Sequence, residues 1–148
     1  MTMNFDRVRS SGYMVNWAAR LFAKAIDQRL KPLGLSSGQM PVIFALAHGD
    51  ALSQRALTES AAIEQPTMAA TLSRMQRDGL VVKKADPRDG RVTLYSLSPA
   101  GMELTAKVRE AGQSVNAAAM AGLTETEREQ FMVMLGKIVG NLEKGIGR

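Results

Sequence analysis

Cysteine is absent from this sequence of 148 residues, and histidine occurs once, as His48. The lack of cysteine excludes disulfide bonds, thiolate nucleophiles and cysteine-ligated metal sites. No Ser/His/Asp grouping has a recognisable context, and no glycine-rich phosphate loop is present. A lone histidine at the end of a helix is more often structural than catalytic. We therefore expect a protein that is not an enzyme and that uses no metal and no cofactor.

Long apolar runs are also missing. No segment approaches the roughly 20 apolar residues that a membrane helix needs. The N-terminus lacks the charged, apolar and small-residue order of a secretory signal. The chain has about the length of one domain, on a prior of roughly 100–200 residues per domain. The lack of cysteine is compatible with a reducing compartment, and we expect a cytoplasmic protein without membrane contact.

The net charge is +5, and it is distributed unevenly. Residues 1–34 carry six basic and two acidic groups, and residues 74–91 carry six and three. Residues 35–73 carry one basic and three acidic groups, whereas the last 57 residues are balanced. Basic segments in a small domain favour a polyanionic partner. An ordinary solvated surface explains the charge alone equally well.

Two helices are predicted in the first third of the chain. Apolar residues recur at helical spacing in the first, which Pro32 and Gly34 end. Ser36 and Gln39 form a capping box, with the serine three residues before the glutamine, and open a second helix. We expect that helix to run to about His48.

Two further helices follow closely. Ser53 caps a short helix over residues 54–61, and a fourth helix stops at Gly79. If Gly79 is the left-handed residue that closes this helix, Leu80 folds back on Met75 in a Schellman ending.

The hydrophobic period then changes from helix to strand. Residues 80–84 and 92–97 are rich in β-branched or aromatic residues and flank a loop, which predicts a β-hairpin. A long helix starts at Ser98, and a capping box at Thr124 opens the last one. The predicted fold is therefore mainly α within the α+β class. Two close-set helices followed by a hairpin make a winged helix-turn-helix, flanked by N- and C-terminal helices.

The helices at both ends are amphipathic, and the central module is too small to cover both. They could pack on each other or on a second copy of the chain. Dimerisation is favoured because one winged module contacts only one half-site. We expect residues 1–34 and 99–148 to form a helical dimerisation region and residues 35–98 to form the winged module.

The fourth helix has two chemically different faces. One face is apolar and is predicted to be buried: Met68, Leu72 and Met75. The opposite face is short, polar and weakly basic: Thr67, Ala70, Thr71 and Arg74. Short side chains let a helix backbone approach base edges in the major groove. A plain surface helix with a polar outside is the alternative.

The loop of the hairpin, KKADPRDGR at residues 83–91, has three possible roles: a solvated loop, a metal-binding turn, or a finger that touches an anion. The metal role fails on spacing: counted from Asp86, Arg88 takes the third position, where an oxygen ligand is needed, and Arg91 takes the sixth, where glycine is needed. Pro87 and Gly90 turn the chain, and Asp86 and Asp89 can hold backbone N–H groups or an arginine. Arg91 could brace the loop or touch phosphate.

From about residue 35 to 101 the chain resembles the MarR family of bacterial transcription regulators. The similarity is carried by six strings: Ser53-Gln54 with Leu57, Ile63-Glu64-Gln65-Pro66-Thr67-Met68, Leu72-Ser73-Arg74-Met75, Asp78-Gly79-Leu80-Val81, Asp86-Pro87-Arg88-Asp89-Gly90-Arg91 and Leu97-Ser98-Pro99-Ala100-Gly101. The string from Asp86 to Arg91, which forms the loop of the hairpin (the wing), is the most specific of them.

The resemblance implies a homodimeric DNA-binding repressor whose two winged modules occupy successive major grooves of a palindromic operator. It implies that five residues of the fourth helix face bases or backbone: Gln65, Pro66, Thr67, Thr71 and Arg74. It also implies that Arg88 enters the minor groove, while Arg91 is a candidate DNA contact through phosphate. A winged module that binds proteins without reading DNA sequence is the alternative.

The resemblance further implies a cleft for a small aromatic or phenolic ligand that releases DNA. The candidate contacts are four aromatic residues predicted on the first two helices, Tyr13, Trp17, Phe44 and His48; simple packing of all four is the alternative. Three residues depart from the family pattern. Ala61 replaces a commoner leucine, which predicts a thinner core there. Ala62 replaces the usual glycine between helices three and four, which predicts a turn that avoids the left-handed conformation. Ala70 stands where the family often presents Arg or Asn to DNA.

Overall fold

The computed structural model describes residues 6–147. Its regular elements, in chain order, are α1 (Ser11–Leu30), α2 (Met40–Leu46), β1 (Leu52–Ser53), α3 (Gln54–Ala61), α4 (Gln65–Arg77), β2 (Val81–Ala85), β3 (Thr93–Leu97), α5 (Pro99–Ala119) and α6 (Glu125–Gly145). Single turns of 3-10 helix cover Arg7–Arg9, Lys31–Leu33 and Ser37–Gln39. The architecture is the predicted one: a mainly helical chain with a small antiparallel sheet.

The capping box before α2 forms as predicted. The Ser36 N–H donates to Gln39 Oε1 at 2.9 Å, and the Gln39 side chain is buried. The predicted end near His48 is two residues too late, because α2 ends at Leu46. Gly49 adopts a φ of +85° and its N–H donates to the Leu46 carbonyl at 3.1 Å, which closes the helix earlier. His48 therefore lies in the turn after α2.

The turn between α3 and α4 contradicts one prediction. Ser53 Oγ accepts from the Ala56 N–H at 3.1 Å, so α3 begins where expected. Ala62, however, is left-handed, with φ +52° and ψ +42°. In this conformation the N–H groups of Ala62 and Ile63 both reach the Thr58 carbonyl. The expectation that Ala62 avoids the left-handed region is wrong, because satisfying these end-of-helix groups outweighs the steric cost of its Cβ.

The Schellman ending of α4 is confirmed. Gly79 has a φ of +75°, and its N–H donates to the Gln76 carbonyl at 3.0 Å. The Leu80 N–H donates to the Met75 carbonyl at 2.9 Å, and both apolar side chains are buried in the same core. The helix therefore turns directly into the hairpin.

The hairpin pairs β2 with β3 in antiparallel register, from Val81 opposite Leu97 to Ala85 opposite Thr93. A third strand was not predicted. β1 pairs with the other edge of β3, with Leu52 opposite Tyr95, so the strand order is β1-β3-β2. This short strand connects the start of α3 to the middle of β3.

One apolar core joins the winged module to α1 and α5. Its fifteen buried residues are Ile26, Leu30, Leu35, Val42, Ile43, Leu46, Leu57, Met68, Leu72, Met75, Leu80, Val81, Val108, Ala111 and Val115. The buried Ser98 side chain connects the end of α4 to the start of α5 by two hydrogen bonds. Its hydroxyl donates to the Gly79 carbonyl, and its Oγ accepts from the Gly101 N–H at 3.1 Å. The Ser98 N–H donates to the Leu80 carbonyl at 2.9 Å.

The chain divides into two compact units, the first ending at Val115 and the second beginning at Asn116. The predicted boundaries after residues 34 and 98 concern an assembled dimer and stay a prediction. In the second unit Thr124 Oγ1 accepts from the Glu127 N–H at 3.1 Å and caps α6. No residue of α6 is buried. None of the helices within residues 6–147 has the length and apolar character needed to cross a membrane.

Candidate nucleic-acid interface

The two faces of α4 separate as predicted. Met68, Leu72 and Met75 are almost completely buried and fix the helix to the core. On the other side Thr67, Ala70 and Arg74 are exposed, and Thr71 is half-buried. Gln65 and Pro66 are the first two residues of the helix and are also exposed. The helix thus presents a face of short side chains to solvent while its orientation is held from behind.

The hydroxyl of Thr71 is not free to play both hydrogen-bonding roles. It donates to the Thr67 carbonyl at 2.9 Å. A hydroxyl carries a single hydrogen, so Thr71 Oγ1 is left to accept hydrogen bonds, beside an exposed methyl group. Thr71 therefore offers a partner an acceptor oxygen and a methyl group, but no donor.

The side chain of Gln65 is held by a residue that was not among the predicted DNA contacts. Gln54, the first residue of α3, donates from Nε2 to Gln65 Oε1 at 2.9 Å. The only indication in the sequence is that the two glutamines open the two helices of one helix-turn-helix. The contact between the two side chains could not be predicted, because it depends on the left-handed turn at Ala62 that sets the position of α4 against α3.

The arginines of the winged module divide into paired and unpaired groups. Three of the five are held by a carboxylate: Arg55 by Glu59 at 3.3 Å, Arg77 by Asp78 at 3.4 Å and Arg91 by Asp89 at 3.0 Å. Within residues 6–147 the guanidinium groups of Arg74 and Arg88 make no hydrogen bond or ion pair, and both residues are exposed. These two are the positions predicted to reach the major and the minor groove.

The wing loop is braced by its two aspartates. Asp86 Oδ1 accepts from the Arg88 N–H at 2.9 Å, and Asp89 Oδ1 accepts from the Arg91 N–H at 3.1 Å. The Arg91 guanidinium also donates to both Asp89 oxygens, at 3.0 and 3.2 Å. These side-chain and then backbone hydrogen bonds from Arg91 hold the pKa of Asp89 below its usual value. Of the two roles left open for Arg91, the structure shows the bracing one.

The predicted ligand residues fall into two pairs. Tyr13 and Trp17 lie on α1 with their rings edge to face, 6.2 Å apart at 76°. Phe44 is 42% exposed on α2, close along the chain to the exposed His48. Within residues 6–147 Phe44 makes no ring contact with the α1 pair. A depression of about 370 Å³ lies elsewhere, beneath the wing, and none of the four lines it. Their ligand role stays a prediction.

Three known proteins are similar to this chain in sequence or fold. The transcriptional regulator HosA of Escherichia coli O111:H- is 32% identical over 105 residues, covering 71% of this chain and 78% of HosA. The HTH-type transcriptional repressor IacR of Pseudomonas putida is 26% identical over 141 residues, covering 93% and 84%. The crystal structure of the S. aureus MepR–DNA complex has a TM-score of 0.83 at 20% identity, covering 89% of this chain and 98% of MepR, and shows the same fold.

The family itself follows from these similarities and from the geometry of the winged module. A family profile described as MarR family matches residues 33–92, which contain α2 to α4, β2 and the wing loop. The identity to HosA extends this similarity beyond the winged module. The chain belongs to the MarR family of transcriptional regulators.

Proposed function

We propose that this regulator binds a roughly palindromic double-stranded DNA operator as a homodimer and represses transcription until a small aromatic ligand releases it. The exposed face of α4 enters the major groove, and Arg88 of the wing enters the adjacent minor groove. The observation that carries the proposal is the selective pairing of arginines: only Arg74 and Arg88, of the five in the winged module, lack a carboxylate partner within the described chain.

The electrostatic argument follows from that pairing. An arginine already bound to a carboxylate contributes little net charge to a phosphate backbone, whereas an unpaired guanidinium releases DNA counterions when it binds. Arg74 sits on the same exposed face as Thr67 and Thr71, so one helix carries both the charge and the hydrogen-bonding groups. Arg88 is held at the wing tip by its own backbone N–H, which bonds Asp86 and leaves the side chain free.

The proposed homodimer is supported by α6. Its apolar side chains are exposed within the described chain: Phe131, Met132, Val133, Met134, Ile138, Val139 and Leu142. Spacings of three and four residues place Phe131, Met134, Ile138 and Leu142 on one face of α6, and this apolar stripe is the kind of exposed surface that marks an association site. A second copy of the chain supplies the second winged module that a palindromic operator requires. The two α4 helices are then expected about 34–36 Å apart, one duplex turn.

Repression and ligand release rest on two supports. IacR, similar along most of the chain, is a repressor by its name. Trp17 and Phe44 expose 39% and 42% of their surfaces, so both rings have apolar surface that a ligand could cover. We propose that Tyr13, Trp17, Phe44 and His48 contact the ligand. A fluorescence titration of Trp17 with small aromatic acids and phenols tests this: no quenching with any of them would contradict the ligand role.

The DNA proposal is tested by selecting bound duplexes from a randomised library. We expect a palindrome with half-sites about ten base pairs apart. On the selected operator Arg74→Ala and Arg88→Ala should each reduce the slope of log K against log salt concentration by about one, since each removes a phosphate or groove contact. Arg109→Ala, which removes an equal charge from α5, serves as the control. No enriched sequence and no salt dependence would favour the protein-binding alternative.

A further inference from the structure

Gln54 and Gln65 open the two helices of the helix-turn-helix, and their side chains are joined. Gln54 Nε2 donates to Gln65 Oε1 at 2.9 Å. The donor residue is itself held in place: Ser53 caps α3 immediately before it, and the Gln54 carbonyl accepts from the Thr58 hydroxyl at 2.8 Å. Gln54 therefore reaches toward Gln65 from a fixed backbone.

The direction of this hydrogen bond determines what Gln65 offers to a partner. A carboxamide has an acceptor oxygen on one side and a donor NH₂ group on the other. Because the oxygen of Gln65 faces Gln54, its NH₂ group faces away from α3. Gln65 is exposed, so this NH₂ group is available to an approaching molecule.

We propose that Gln54 is a specificity-determining positioning residue, which orients the Gln65 amide so that it presents hydrogen-bond donors to DNA. The inference rests on the proposed function, in which Gln65 faces the major groove. Donors select base edges that carry acceptors: guanine O6 and N7, adenine N7 and thymine O4. They discriminate against the cytosine N4 amino group, which is itself a donor. The base pair that Gln65 contacts therefore excludes cytosine at the contacted edge.

The sharpest test reverses the orientation of Gln65 without changing that residue. In Gln54→Glu the carboxylate can only accept, so it pairs with the Gln65 NH₂ group and turns the Gln65 oxygen outward. The preferred edge should then carry a donor, cytosine N4 or adenine N6. Operator selections with the two proteins should differ at one symmetric pair of positions, with cytosine rising about 3- to 10-fold relative to thymine there.

Two controls separate orientation from charge and from simple loss of a contact. The carboxylate of Gln54→Glu lowers affinity for all sites, but this penalty is common to every sequence and cancels in the base ratio. Gln54→Glu combined with Gln65→Ala keeps that charge and removes the amide, and should show no preference at the position. Gln54→Ala leaves the Gln65 amide free to rotate, and should accept donor and acceptor edges about equally.

The outcomes distinguish this inference from the function it rests on. If the wild-type protein selects no DNA sequence, the proposed function fails. If it selects a palindrome and the Gln54 variants change affinity equally for all sequences, Gln54 is only a backbone contact and the inference is overturned. A shift at the Gln65 position that disappears in the double variant establishes it.

Discussion

The carbonyl oxygen of Leu80 lies less than 3.0 Å from the point that the Cβ of any side chain at position 101, where Gly101 stands, would occupy. Gly101 lies in the first turn of α5, and an added Cβ would collide with this backbone oxygen and touch the Leu97 side chain. We expect Gly101→Ala to lower the free energy of unfolding by more than about 2 kcal/mol, because backbone cannot yield as a side chain does.

Gly112→Ala is the matched control in the same helix. An added Cβ there meets only the flexible end of Met40, at 3.4 Å. Since alanine favours the helix interior over glycine by about 1 kcal/mol, this variant should be neutral or more stable. Urea denaturation followed by circular dichroism measures both, and equal stability of the two variants would contradict the close approach.

The left-handed conformation of Ala62 predicts a stabilising substitution. A Cβ in this region costs roughly 1–2 kcal/mol, and glycine avoids that cost while losing some of the gain to chain entropy. We expect Ala62→Gly to raise the free energy of unfolding by about 0.5–1 kcal/mol. Ala61→Gly, in the last residue of α3, should instead lower it by a similar amount. A loss of stability in both variants would argue against a left-handed Ala62.

Thr71 offers an acceptor oxygen and a methyl group, since its hydrogen is engaged by the Thr67 carbonyl. Thr71→Val keeps a methyl group and removes the acceptor, so preference for a base amino group should fall about 2- to 10-fold. Thr71→Ser keeps the acceptor and loses the methyl, so preference for thymine should weaken instead. Competition binding with operators altered at single positions distinguishes these effects, and identical profiles would remove Thr71 from the contacts.

The brace between Arg91 and Asp89 should be visible in a titration. Arg91 lowers the pKa of Asp89 in the folded protein. The ion pair therefore stabilises the wing at pH values above the usual aspartate pKa, and this stabilisation is lost as the pH falls through the lowered pKa. Carbon-13 NMR of the side-chain carboxyl should show this pKa rising toward normal in Arg91→Ala. Arg88→Ala is the control and should leave it unchanged; a shift of equal size there would contradict the assignment.

If the exposed apolar face of α6 forms the homodimer, a charge on that face should disrupt the dimer and thereby weaken operator binding. Ile138→Glu places a charge on the apolar stripe, and we expect a monomer by sedimentation with operator affinity reduced at least tenfold. Lys137→Glu adds an acid to the neighbouring position of the same helix and should leave the dimer intact. A monomeric Ile138→Glu protein with unchanged operator affinity would mean that one winged module suffices.

Much of this fold could be predicted because its boundaries are set locally. The hydrogen bonds that begin or end several of its helices join residues no more than five positions apart, so they can be predicted from the sequence. This holds for Ser53, for Gly79 and for the Ser36–Gln39 capping box. β1 was missed because two residues carry no periodicity, and its existence depends on a partner strand some forty residues away.

The two faces of α4 could be predicted from the sequence, but the hydrogen bonds of its exposed residues could not. The buried and exposed faces of α4 follow from helical spacing alone. The roles of Gln65 and Thr71 depend on which neighbouring group takes up their hydrogen-bonding capacity. That information requires three-dimensional placement, as does the distinction between Arg88, which is free, and Arg91, which is paired.

Ser98 closes the wing at its base, since it bonds the carbonyls of Gly79 and Leu80 and begins α5. These hydrogen bonds hold the two ends of the hairpin together. A change in the length of the hairpin should therefore have little effect on the helices that precede and follow it. Lengthening a closed loop costs only about 0.6 kcal/mol for each doubling. We therefore expect an insertion beside Gly90 to lengthen the hairpin loop while leaving α4 and its exposed face in place.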